Sequence, residues 1–245
     1  MFSHSSKARL TEYDLDRFQG ETLFDRIARA TCEVGCLPRK ELYEAWEVAR
    51  RVRRVFRGGR IIDLAAGHGL LAQILMILDD SSPAAVAVDT VLPASCAGLH
   101  DALARTWPRL RSRVTFIACS LDSIELHAGD VVVSSHACGA LTDLVIDRAI
   151  AARARVAVLP CCHVFDANDQ GALSGWVDGA LAIDIMRVVK LEQHGYHVRT
   201  QTIPAGVTPK NRLLLAQPEP CVRLAPRSHL IPPSQPSPIP RRPHT

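Results

Sequence analysis

Apolar positions along the chain follow two different rhythms. Across residues 21–33, Leu23, Phe24, Ile27, Ala28 and Ala30 recur at helical spacing. A second helical stripe follows Pro38: Leu42, Ala45, Trp46, Ala49, Val52, Val55 and Phe56. Proline suits a first helical turn, and Gly58 and Gly59 close the stripe. From Arg60 onward the rhythm changes to short apolar runs separated by helical stretches. The runs at 61–64, 84–88, 114–118, 131–134 and 156–159 predict strands. The stretches at 70–78, 94–106 and 139–152, and most of 172–194, predict helices. Strands this apolar, alternating with helices, predict a parallel sheet covered on both faces. The alternation then breaks. Runs at 196–203 and 212–216 have only residues 204–211 between them, too short for a parallel crossover, so this last pair is expected to be antiparallel.

Three parts follow: a helical extension over 1–59, an α/β domain over 60–217, and a tail over 218–245. The tail holds nine of the sixteen prolines, with Arg223, Arg227, Arg241 and Arg242, and reads as extended or disordered. Composition narrows this picture only a little. Over 245 residues, 47% hydrophobic and 22% charged positions describe a globular chain able to bury its own core. No apolar run approaches the length needed to span a bilayer. The first residues lack the apolar segment of a secretory signal, which predicts a cytoplasmic location with reduced thiols. A net charge of +4 does not by itself imply nucleic acid.

Candidate chemistry begins at the first strand. Asp63 is followed by Ala65, Gly67, His68 and Gly69, and then by a helix. Glycines let a backbone approach a ligand, and a helix start offers free N–H groups. Asp89 ends the second strand twenty residues after Gly69, where a carboxylate can accept from ribose hydroxyls. A nicotinamide dinucleotide fits Gly67-x-Gly69-x-x-Ala72 with Asp89. Against it, Asp63 would repel a pyrophosphate, no second nucleotide-binding half follows, and the Tyr-x-x-x-Lys pair of short-chain dehydrogenases is absent.

Taken with the terminal antiparallel pair, Asp63-x-Ala65-x-Gly67-x-Gly69 and Asp89 resemble a class I S-adenosylmethionine-dependent methyltransferase. The resemblance implies a Rossmann-like sheet of seven strands and S-adenosyl-L-methionine as cofactor. It places Asp63 near the methionine amino group, Asp89 on the ribose, and Leu121 and Asp122, after the third strand, near the adenine. Ala65 stands where the first of three glycines is usual, and is tolerable there if its φ is negative.

The fourth strand leads into His136-Ala137-Cys138-Gly139-Ala140-Leu141-Thr142-Asp143 and the fifth into Cys161-Cys162-His163. At the carboxyl edge of an open sheet these segments can converge. Together they resemble one methyltransferase-domain family, which includes acceptor-stem tRNA 2′-O-methyltransferases and glutathione S-transferase C-terminal-domain-containing proteins. That implies methyl transfer with RNA as a plausible acceptor, although the zinc-binding modules of the eukaryotic RNA enzymes are missing. His136, with an ordinary pKa near neutrality, is a candidate base, or a ring capping the next helix. Asp143 could orient a base, or serve as a first-turn acid favoured by the helix dipole.

Cys138 and Cys161 occupy the places of the cysteine pair in RNA cytosine-5 methyltransferases, but the acid and proline preceding the first cysteine are replaced by Ser135-His136-Ala137. Zinc could draw on Cys161, Cys162 and His163, with Cys32 and Cys36. Adjacent cysteines are poor partners for one ion, so no metal is expected. In the last turn Thr208-Pro209-Lys210-Asn211-Arg212 reads first as turn chemistry, with Lys210 and Arg212 able to clamp an anion. Arg50, Arg51, Arg53, Arg54, Arg57 and Arg60 make the end of the second helix basic, a surface for RNA or simply a solvated face. The sequence therefore predicts a cofactor-dependent methyltransferase with an RNA acceptor. A small-molecule or protein methyltransferase and a non-catalytic cofactor-binding adaptor are the alternatives.

Overall fold

The computed structural model describes residues 3–220. Most of the tail, from residue 221, lies outside the described residues. One seven-stranded sheet forms the centre, in the order β3-β2-β1-β4-β5-β7-β6. Its strands are β1 (Ile61–Leu64), β2 (Ala85–Asp89), β3 (Val114–Ala118), β4 (Val131–Ser134), β5 (Arg155–Val158), β6 (Tyr196–Thr202) and β7 (Arg212–Pro218). β1 to β5 pair in parallel, and β7 inserts antiparallel between β5 and β6. This is the seven-stranded topology expected from the sequence, closed by its antiparallel pair.

The helices are α1 (Leu23–Val34), α2 (Arg39–Val55), α3 (Leu70–Leu78), α4 (Cys96–Thr106), α5 (Leu110–Arg113), α6 (Ala140–Ala152) and α7 (Gly179–Gln193). Thr22 caps α1 by accepting the Asp25 N–H at 3.1 Å, and Gly35, at φ +66°, ends it. Every residue of β1 is buried, as a central parallel strand requires. One core joins α1 and α2 to one face of the sheet through Ile27, Leu42, Val52, Ile74, Leu99 and Leu215. The opposite face packs α6 and α7 through Val132, Val145, Ile146, Val156 and Leu191. Leu213 and Leu215 of β7 point to the first core, Leu214 and Ala216 to the second, as a period of two dictates.

One predicted helix is shorter than its pattern. Residues 172–194 are not continuous: a 3-10 turn at Gly171–Leu173 precedes α7, which starts only after Asp178 accepts the Leu181 N–H. Gly171 and Gly175 adopt left-handed backbone there, which breaks the helix before it can begin. Among the described residues no helix is long and apolar enough to cross a membrane.

Candidate active site

The loop between β1 and α3 is braced from several sides. The Gly67 N–H donates to Asp89 Oδ2 at 2.8 Å, the Gly69 N–H to the Ala66 carbonyl at 2.8 Å, and the Cys96 thiol to the Gly67 carbonyl at 3.4 Å. His68 is tied to Ser95 Oγ at 2.9 Å. Gly69 has φ +66°, and a Cβ there would lie 2.6 Å from the Phe116 ring, so only glycine fits. Gly67 differs. Its φ is +53°, but a Cβ would meet nothing within 4 Å, so its outer side is an open cradle. Ala65 departs from expectation: its φ is +58°, not negative. The tight turn after β1 forces left-handed backbone on a residue with a Cβ, a strain of about 1–2 kcal/mol.

Asp63 is buried and accepts the Ala72 N–H at 3.2 Å, capping the first turn of α3. Burial pushes its carboxyl up to about 8, with Asp89 adding a further push; the Ala72 bond pulls the other way. Such a group lacks a cation, and a bound ammonium would supply one. Asp89 uses one oxygen to hold Gly67, leaving the other beside Thr90 Oγ1 at 3.4 Å. Leu121 is buried and Asp122 exposed in the turn after β3, next to the β2 end carrying Asp89. Open cradle, buried acid and half-paired acid together fit a nucleoside bearing an ammonium group.

Next to this loop a cavity of about 340 Å³ is lined by Gly67, His68, Ser135 and His136, with Leu37 and Glu41 from the helical extension. Sequence reasoning missed Glu41 because its partners across the cavity lie far away in the chain. The amphipathic stripe of α2 was the available signal that this helix packs on the domain. His136 titrates near 4, lowered by burial first and then by the Lys40 charge. Its ring is therefore neutral near pH 7. Burial also lowers His68, with Arg9 assisting.

On the far side of the edge, the structure separates the remaining predicted residues into two groups. Cys138, Cys161 and Cys162 come together: their sulfurs lie within 4.8 Å of one another, with Cys138 and Cys161 3.0 Å apart. Burial raises the Cys138 and Cys161 thiols, so neither is a ready thiolate. Asp143 and His163 lie behind them in a buried ionic network. Asp143 accepts from Arg187 Nε at 2.8 Å and from Asn168 Nδ2 at 2.5 Å. Arg187 also bonds Asp184 at 3.1 Å, and Asp184 reaches His163 Nε2 at 2.9 Å and Arg212 Nε at 2.6 Å. This places Asp143 and His163 in the support of the loop after β5. Arg187 was missed because one arginine in a helix carries no local signature. Cys32, fully buried, is pushed up to about 12 chiefly by burial; neither it nor Cys36 belongs to the thiol cluster.

The arginines at the end of α2 are largely spent within the protein. Arg50 and Arg51 pair with Glu47, Arg57 with Asp79, and Arg60 with Asp130. Arg53 is buried, bonded to the Leu75 carbonyl and Ser82, and 3.1 Å from Asp79. Arg54 stays exposed.

A family model described as a methyltransferase domain matches residues 40–165, just over half the chain. No curated protein matches. Among solved structures, an O-methyltransferase family protein from Burkholderia thailandensis is 20% identical, covers 84% of this chain and 62% of its own, and superposes with a TM-score of 0.50. The pyocyanin biosynthetic protein PhzM is 18% identical over 84% of this chain and 61% of its own, TM-score 0.48. TrmK of M. capricolum, in complex with S-adenosyl-homocysteine, is 13% identical over 69% and 66%, TM-score 0.46. The chain spans about three fifths of the length of the first two. By its match and its sheet, the chain belongs to the methyltransferase-domain family, whose methyl donor is S-adenosylmethionine.

Proposed function

We propose that the chain transfers a methyl group from S-adenosylmethionine to RNA. The donor supplies an electrophilic methyl carbon on a sulfonium; the protein's part is to hold donor and acceptor in line. Gly67, Asp63 and Asp89 bind the donor, and Leu121 and Asp122 border its far end. His136 sits on the acceptor side of the cavity, where a neutral ring can receive the proton an attacking hydroxyl or amine gives up.

The observation that carries the RNA acceptor is the set of cations around this mouth. The Lys40 charge acts on His136 and Cys138, and the Arg9 charge acts on His68 and Cys36. Lys40 pairs with Glu44 at 3.1 Å, Thr208 lies beside Glu44, and exposed Lys210 follows Thr208 by two residues. Neither Arg9 nor Lys210 enters an ion pair among the described residues. Arg9 and Lys210, both outside any ion pair among the described residues, suit phosphates flanking a presented nucleotide. A small planar acceptor is the second reading. Exposed Leu141, Val164 and Phe165 favour it, with Val164 against Gly139 beside the thiols.

Tritiated donor, purified protein and a cell lysate depleted of its own copy decide between them. Label in a ribonuclease-sensitive fraction is expected, with binding that weakens steeply as salt rises and less steeply in Lys210→Ala. Label in the low-mass or protein fraction contradicts the RNA reading.

A further inference from the structure

We infer that Cys138, Cys161 and Cys162 form a zinc site with three protein ligands and one open position. Two loops supply the donors: Cys138 follows β4, and Cys161 and Cys162 follow β5. Adjacent cysteines in a strand would point to opposite faces. Here β5 ends at Val158 and residues 159–164 are irregular, so both sulfurs can turn to the same side. All three sulfurs lie within 4.8 Å of one another.

Tetrahedral zinc with sulfur at 2.3 Å sets sulfur separations of about 3.8 Å. The Cys138–Cys161 distance of 3.0 Å would open by less than an ångström. The loops are already locked together, since the Gly139 N–H donates to the Cys162 carbonyl at 3.3 Å. The loop carrying Cys161 and Cys162 is held from behind, through His163 to Asp184 and through the Val164 N–H, which donates to Asn168 Oδ1 at 2.9 Å. Preorganisation of this kind is what a metal site needs from its surroundings.

His163 is the obvious fourth ligand by residue type, but its buried ring is committed to Asp184 and lies outside the triangle. Among the described residues no other histidine, cysteine or acid joins the three thiols. With Cys138 and Cys162 exposed, the fourth position faces solvent and would take water. Soft sulfur donors select zinc over magnesium or calcium. Binding is a simple exchange: each thiol releases its proton as its sulfur takes the ion, and no oxidant or reductant is involved.

The test uses full-length protein, reduced and stripped of metal, titrated anaerobically with cobalt(II) and then zinc(II). The site predicts intense sulfur-to-cobalt absorption and tetrahedral ligand-field bands, saturating at one cobalt per chain and bleached by one equivalent of zinc. Cys138→Ser, Cys161→Ser and Cys162→Ser should each weaken zinc by more than the roughly 10–100-fold typical of losing an outer-shell partner. Cys119→Ser should leave it unchanged. In wild-type protein, zinc should shield the three thiols from alkylation, read by peptide mass spectrometry; this holds even if a variant folds poorly. Weak octahedral bands, wild-type affinity in the three variants, or alkylation indifferent to zinc would each overturn the site.

Discussion

The two halves of the sheet's carboxyl edge, proposed to hold donor and acceptor, are held in place by different means. On the donor side, the loop after β1 is fixed by bonds from backbone N–H groups: Gly67 to Asp89, Gly69 to Ala66, Ala72 to Asp63. On the acceptor side, the loop after β5 depends on side chains of α6 and α7, through Asp143, Asp184 and Arg187. Backbone-braced loops tolerate change in most of their neighbours. A loop held by a largely buried ionic network weakens when one charge is lost, because buried partners lose part of their pairing.

The largest effect separating the two halves should come from Arg187→Met. Asp143 loses its guanidinium and keeps only Asn168, while Asp184 keeps Arg212 and His163, so the expected cost is at the low end for breaking a buried pair, about 3 kcal/mol of stability in urea unfolding. Donor affinity, measured where the variant remains folded, should change little. A parallel loss of donor affinity would show that the halves are not independent. Asp89→Ala should do the reverse: weaken donor binding by about 1.5–3 kcal/mol, the scale of a hydrogen bond to a charged group, in calorimetry. Unchanged affinity would remove Asp89 from the ribose.

Asp63 allows a pH test of the donor half. Its folded pKa, near 8, is raised above the ordinary carboxylate value of 3.8. Between those values the folded protein holds a proton that the unfolded chain has lost, so stability from this group falls as pH rises from about 4 through 8. The slope is at most about 1.4 kcal/mol per pH unit. Asp63→Asn should flatten the pH dependence of urea midpoints in that window, and an unchanged slope would contradict the assignment. The smallest effect is expected from Ala65→Gly. Relief of left-handed strain, less the extra chain entropy of glycine, should stabilise the fold by about 0.5–1 kcal/mol. A lower melting temperature would show that the Ala65 methyl packs favourably.

The same contrast explains what can be read from the sequence. β1, α3 and β2 carry their signals locally, in an apolar run, two glycines and two acids at fixed spacing, so the glycine loop and its two flanking acids are legible in the chain alone. The antiparallel pairing of β6 and β7 follows from the length of their connection. The sign of φ at Ala65 is not legible, because it depends on how tightly the turn closes. Pairing across the fold is equally hidden. The six arginines at 50–60 look like one basic surface, yet Asp79 and Asp130, distant in sequence, pair with three of them. Asp143 and His163 look like chemistry because their partners Arg187 and Asp184 lie in a helix with no motif of its own.

The most direct test of the donor site is a calorimetric titration of S-adenosylhomocysteine into wild-type protein and Gly67→Ala. The added methyl would point into the open cradle, with no protein atom in reach, at the cost of modest backbone strain. One binding site per chain in the wild type, and at least tenfold weaker binding in a folded Gly67→Ala, is the predicted result. Equal affinity in both proteins, or no binding to the wild type, would contradict it.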